Sequence, residues 1–180
     1  MNYGLWINVK LKTQNLKLKT QNSDVFPINY NEPLFRPPSE AYSLILQPTI
    51  GCSWNRCAFC EMYTTKKFSI RDIEDVKAEI RSLQEYGDHV KKVFLADGNA
   101  MVLETDYLLQ LIAELKKTFP RIVRISAYAL PKDILSKTDE ELKNLRNEGL
   151  KLIYVGLESG DDEVLKMINK GETQQSSINA

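Results

Sequence analysis

From Tyr42 onward, short apolar runs alternate with longer stretches in which apolar residues recur every three or four positions. YSLILQ (42–47), KKVFLA (91–96), RIVRISAYAL (121–130) and KLIYVGLE (151–158) are apolar and β-rich, and predict four strands. The stretch SIRDIEDVKAEIRSLQEYG (69–87) puts Ile73, Val76, Ile80 and Leu83 on one helical face, with Ser69 and Asp72 as its capping box. TDYLLQLIAELKKTF (105–119) turns Leu108, Leu111, Ile112 and Leu115 inward. TDEELKNLRNEG (138–149) begins on a Thr138/Glu141 capping box and stops at Gly149. SGDDEVLKMINKG (159–171) opens a fourth helix, with Ser159 and Asp162 as its box, and ends at Gly171.

The order is strand then helix, four times over, and the strands are apolar throughout rather than alternating. That predicts an α/β fold with a parallel sheet covered by helices. In such sheets the working groups sit in loops just past the carboxyl ends of the strands.

The first 40 residues break this rhythm. KLKTQN occurs twice, at Lys10–Asn15 and Lys17–Asn22, and Pro27, Pro33, Pro37 and Pro38 follow. Two copies are too few for a solenoid. Residues 1–40 are expected to be a poorly ordered extension with an extended, proline-rich linker. Residues 41–171 are expected to be the core, and ETQQSSINA (172–180) a polar tail without pattern.

Charge narrows the function classes. Lys plus Arg and Asp plus Glu both number 24, so the net charge is zero and the basic excess of a nucleic-acid binder is missing. No apolar run is long enough to cross a bilayer. MNYGLWINVK is too polar for a signal peptide, so a cytoplasmic protein is expected. In that compartment clustered cysteines point to metal or catalysis rather than disulfides.

All three cysteines, Cys52, Cys57 and Cys60, lie in GCSWNRCAFC (51–60), spaced C-x4-C-x2-C. Close thiolates on one loop favour zinc or iron–sulfur clusters. Structural zinc normally takes four protein ligands, and His89 is the chain's only histidine. A plant-type two-iron cluster shares the spacing but needs a fourth cysteine. A four-iron cubane held by three cysteines satisfies the count if its fourth iron takes an external ligand.

The loop after the first strand, closed by Cys57-Ala58-Phe59-Cys60, resembles that of the radical S-adenosylmethionine (SAM) superfamily. The resemblance implies a [4Fe-4S] cluster on Cys52, Cys57 and Cys60, with SAM chelating the fourth iron through its amino group and carboxylate. Phe59 stands where the family commonly has an aromatic residue. The commonest family spacing has three residues between the first two cysteines, whereas here there are four, SWNR.

Further segments carry the resemblance. LADGNAM (95–101) follows the second strand, where the family holds the SAM amino group, and Asp97, Gly98 and Asn99 match in position with Asp97 and Asn99 as variants. Turn chemistry alone would also account for Asp-Gly-Asn. YVGLES (154–159) resembles the family segment whose Glu or Gln reaches SAM, which implies that role for Glu158. Tyr128, at the third strand end, stands near an acidic ribose ligand of some members, and an aromatic core position is the alternative. Lys66 and Lys67 would face the SAM carboxylate or a substrate phosphate, or simply solvent.

What the resemblance implies as a whole is a partial TIM barrel. In it a reduced cluster cleaves SAM to methionine and a 5′-deoxyadenosyl radical, which takes hydrogen from a substrate. It also implies a low-potential electron donor such as ferredoxin or flavodoxin. The family barrel usually has six βα units and four are legible here, so cluster binding with weak SAM cleavage is expected. Two other classes stay open: a non-catalytic iron–sulfur electron-transfer protein, and a zinc-stabilised binding module.

Overall fold

The computed structural model describes residues 28–180. The KLKTQN repeat lies outside them. Four strands, β1 (Leu44–Leu46), β4 (Lys92–Leu95), β5 (Arg124–Ala129) and β6 (Leu150–Val155), form one parallel sheet in the order β1-β4-β5-β6. These are the four strands the apolar runs predict. β2 (Thr49–Ile50) and β3 (Ser69–Ile70) add a small antiparallel pair at the base of the cysteine loop.

The helices are α1 (Ile73–Ser82), α2 (Thr105–Thr118), α3 (Pro131–Leu135), α4 (Asp139–Glu148), α5 (Asp162–Met167) and α6 (Gln174–Asn179). Val93, Leu95, Ile125 and Ala127 share one face of the sheet by the pleat. They form a core with Val76 and Ile80 of α1, Leu108, Leu111, Ile112 and Leu115 of α2, and Leu145 of α4. The stripes read from the sequence are the buried stripes. The opposite face carries rings: Phe94 meets Tyr128 edge-on at 5.0 Å between centroids, and Tyr128 meets Tyr154 at 6.1 Å. The open parallel sheet with its helical layer is a partial barrel of the expected α/β class.

The Thr138/Glu141 capping box on α4 is present, and Gly149 ends that helix at φ 141°. The other two predicted boxes are corrected. Asp72, not Ser69, caps α1 by accepting from the Glu74 and Asp75 amides, while Ser69 belongs to β3. Asp161, not Ser159, caps α5, accepting from the Glu163 and Val164 amides. In each case an aspartate adjoining the first turn outcompetes a serine set further back.

Two expected structureless segments have structure. Pro38–Glu40 form a 3-10 turn, because a proline's fixed φ suits a helical first position. Glu40 is fully buried, and its Oε1 accepts from Arg124 Nη2 and Tyr154 Oη, each at 2.7 Å. The buried Ile28 joins the core, and the Tyr30 hydroxyl donates to the Ile45 carbonyl, 3.0 Å. Residues 174–179, expected to lack pattern, are α6, capped by Thr173 and Ser176.

Candidate functional site at the carboxyl ends of the strands

β1 ends at Leu46, and the chain then makes the loop that holds all three cysteines. Each cysteine is a free thiol and partly exposed. The loop starts from a buried polar joint. Asp97, just past β4 and wholly buried, accepts the Gly51 amide at 2.6 Å and Gln47 Nε2 at 3.1 Å. Its other partner is Lys66, whose Nζ lies 3.1 and 3.0 Å from the two carboxylate oxygens and also donates to the Asn31 carbonyl, 2.6 Å. A buried carboxylate is tolerated because every lone-pair direction has a donor and the charge has a counter-ion.

The sequence suggests Asp97 as an acceptor for the SAM ammonium and Lys66 as a cation facing ligand or solvent. The structure gives each to the other. Lys67, the second lysine, is exposed.

Gly98 lies directly against Cys52. A β-carbon there would fall 2.4 Å from Cys52 Cβ and 2.9 Å from its Sγ, so no side chain fits. The Gly98 amide also donates to the Gly51 carbonyl, 2.9 Å, which stitches the β4 end to the loop.

Asn99 is wholly buried. Its Nδ2 donates to Ser53 Oγ, 2.9 Å, and to Asp133 of α3. Its Oδ1 is buried with no donor. An acceptor in that state is normally completed by something else. Of the Asp97 and Asn99 side chains, the one with a buried acceptor left unmet is Asn99.

At the end of β6, Glu158 takes φ 61° and its carboxylate folds back over Gly156, where a β-carbon would come within 2.5 Å of Oε1. Lys170, almost fully buried, stands 3.2 Å from that oxygen. Tyr128 is half-buried in the ring cluster of the inner face, and burial pushes its phenol well above the ordinary value. Phe59 is half-exposed.

Sequence reasoning missed Tyr63. It is buried, its ring meets Phe35 edge-on, and its hydroxyl has no partner. Burial, with the charge of Asp97 beside it, raises that phenol far above its ordinary value. It also missed Asp133 and Lys170, whose significance depends on contacts made far along the chain.

Zinc finds little support in the layout. His89 precedes β4 while the cysteines follow β1, and the two strands are parallel, so histidine and thiols lie at opposite ends of the sheet. Among the described residues no three His, Cys, Asp or Glu side chains converge to hold a single metal ion. The donor chemistry does fit an iron–sulfur cluster: three soft thiols on one loop, a glycine seat beneath the first, and an unmet acceptor beside them. Burial pushes the Cys57 thiol up, and nearby Lys170 pulls it back.

A parallel βα sheet with a three-cysteine loop on its first strand end defines a class of protein, and comparison with known families agrees. The model of the radical SAM superfamily matches residues 46–180, and the chain belongs to that superfamily. It is similar to a "Putative methylthiotransferase" of Methanocaldococcus jannaschii, 24% identical over 139 residues. That match takes in 72% of this chain and 29% of the relative, so the chain spans under a third of the relative's length. Among the described residues no helix is long and apolar enough to cross a membrane.

Proposed function

We propose that Cys52, Cys57 and Cys60 hold a [4Fe-4S] cluster, and that SAM completes the site by chelating its fourth iron with amine and carboxylate. When bound, the cluster supplies the electron that opens a carbon–sulfur bond of SAM and so starts hydrogen abstraction from a substrate. The observation that carries this reading is the seat of Cys52 on Gly98, beside the unmet Asn99 Oδ1.

This chain's own residues have distinct tasks in that scheme. Asp97 and Lys66 fix the root of the loop through Gly51. Asn99 Oδ1 accepts a hydrogen bond from an N–H of the iron-bound SAM amine, a role an amide carbonyl can fill without the cost of burying a second carboxylate. Glu158, held by Lys170 at the mouth of the sheet, accepts from the ribose hydroxyls or the methionine end of SAM. The aromatic inner face of Phe94, Tyr128 and Tyr154 keeps water from the space where the substrate sits. Electrons come from a low-potential donor of the ferredoxin or flavodoxin kind. The similarity to a protein named as a methylthiotransferase makes methylthio-group transfer the first reaction to assay.

The test is an iron count after anaerobic reconstitution. Wild type should bind about four irons per chain by the cubane stoichiometry. Cys52→Ala, Cys57→Ala and Cys60→Ala should each lose most of that iron. Full retention in all three variants would rule the site out, and stoichiometric zinc in place of iron would favour the binding-module class.

A further inference from the structure

The far end of the cysteine loop is closed by Lys66 on Asp97 and by Asn55 Nδ2 on the Tyr63 carbonyl, 2.9 Å; the stretch that carries the thiols is held at two further places. Its first part, Gly51–Cys52, is held within the sheet by Asp97 and Gly98. Its middle rests on a turn that belongs to a different part of the chain, Ile168–Gly171, just past α5. Trp54 Nε1 donates to the Asn169 carbonyl at 2.8 Å. Asn169 Nδ2 donates to the Arg56 carbonyl at 2.9 Å. The Ala58 amide donates to the Ile168 carbonyl at 2.8 Å. The Trp54 ring lies on Gly171, where a β-carbon would come within 2.4 Å of its carbons and where φ is +73°.

These contacts form a closed set. Asn169 gives its carbonyl to Trp54 and its amide side chain to Arg56, so it grips the loop on both sides of Asn55. It adopts φ 52°, a left-handed conformation that asparagine tolerates better than most residues. Its neighbour Lys170 pairs with Glu158. Glu172, two residues on, accepts the Lys132 amide of α3 at 3.2 Å. The short turn therefore touches the cysteine loop and the β6 loop, and the residue after it, Glu172, touches α3.

We infer that the Ile168–Gly171 turn is a strap that sets the position of Cys57 and Cys60 relative to Cys52, with Asn169 and Trp54 as positioning residues. Cys52 is placed by the sheet. Asp97 and Gly98 act on Gly51 and Cys52, whereas the Cys60 amide bonds back to the Cys57 carbonyl, so those two move together. Removing the strap should free that pair and leave Cys52 where it is. The consequence for a cluster rests on the function proposed above; the mechanical statement does not.

The experiment has two arms. In the first, the cluster-free full chain is treated with iodoacetamide under reducing-agent-free, anaerobic conditions, and alkylation is followed at each cysteine by mass spectrometry. Asn169→Gly keeps the backbone conformation accessible and removes the side-chain bond. Trp54→Phe removes the Nε1 bond while keeping a ring on Gly171. Both variants should speed alkylation at Cys57 and Cys60 several-fold, with Cys52 unchanged and little loss of melting temperature. Faster amide exchange at Ala58 should accompany this. The double variant should fall short of the summed effects, because both residues act through one clip. Unchanged rates at Cys57 and Cys60, or an equal rise at all three cysteines, would overturn the strap.

In the second arm the proteins are reconstituted with iron and sulfide. Loss of an outer-shell support typically weakens metal binding about 10-fold or more, so both variants should retain less iron and show an altered paramagnetic resonance line shape. Wild type without iron would sink the proposed function, while the alkylation pattern would still decide the strap. Normal iron and line shape in both variants, beside a loaded wild type, would overturn the strap's role in setting the thiols.

Discussion

Lys66 Nζ stands 3.0 Å from Asp97 Oδ2 with both side chains out of solvent. This pair joins the end of β4 to the segment that closes the cysteine loop. Breaking a buried pair by removing one partner leaves the other charge uncompensated, at a cost of about 3–5 kcal/mol. Lys66→Met should lose stability on that scale in urea unfolding. The Lys66→Met/Asp97→Asn double variant should recover part of the loss, since the amide oxygen can still accept from Gly51. A Lys66→Met protein as stable as wild type would show that the joint is not what holds the loop.

Gly98→Ala addresses the seat of Cys52. The added carbon must push Cys52 aside, and overpacking of this kind costs about 1–3 kcal/mol. The folded fraction at room temperature should stay high, while iron uptake after reconstitution should fall well below wild type. Wild-type iron content in Gly98→Ala would mean that Cys52 can move without consequence.

Tyr63→Phe should behave in the opposite way. Its hydroxyl is buried without a partner, so deleting it removes an unmet polar group and leaves the ring contacts. Stability should be unchanged or rise by about 1 kcal/mol. A marked drop in the unfolding midpoint would reveal a hydrogen bond to this phenol that stabilises the fold.

Glu40 contributes to stability in a pH-dependent way. Burial raises its pKa, but hydrogen bonds from Ser43, Tyr154 and Ser126 and the charge of Arg124 outweigh that and hold it below the ordinary value. The folded chain therefore binds this proton less readily than the unfolded chain. Its contribution to stability is complete above the unfolded value of about 4.3 and is lost as pH falls through the lower folded value. Glu40→Gln should be less stable at neutral pH and should lose stability less steeply between pH 5 and 3 (roughly the range where carboxylates protonate). An acid unfolding curve parallel to wild type would contradict this.

The sequence made the repeating architecture legible because its signals are local. The stripe Leu108, Leu111, Ile112, Leu115 and the Thr138/Glu141 box need only neighbours three or four positions away. The cysteine loop was legible for the same reason. What stayed hidden depends on long-range pairing. β3 is two residues long and exists because Thr49 and Ile50 lie opposite it, which takes Ser69 out of any helix cap. Lys66 reads as half of a solvated basic pair until Asp97, 31 positions away, is placed beside it. Trp54 and Asn169 are 115 positions apart, and no local pattern links them. The resemblance singles out Asp97-Gly98-Asn99 as a segment, but only burial and pairing show that Asn99 Oδ1 is the side-chain acceptor in it left unmet.

In the proposed function these three thiols hold a cluster with an iron open to SAM. The most direct measurement is the electron paramagnetic resonance spectrum of the anaerobically reconstituted, dithionite-reduced protein, recorded with and without saturating SAM. The expected result is a [4Fe-4S] signal that shifts on adding SAM, with the shift weakened in Asn99→Ala and Glu158→Ala while both keep their iron. A cluster signal that SAM leaves unchanged would rule out an iron open to SAM and point to an electron-transfer protein instead.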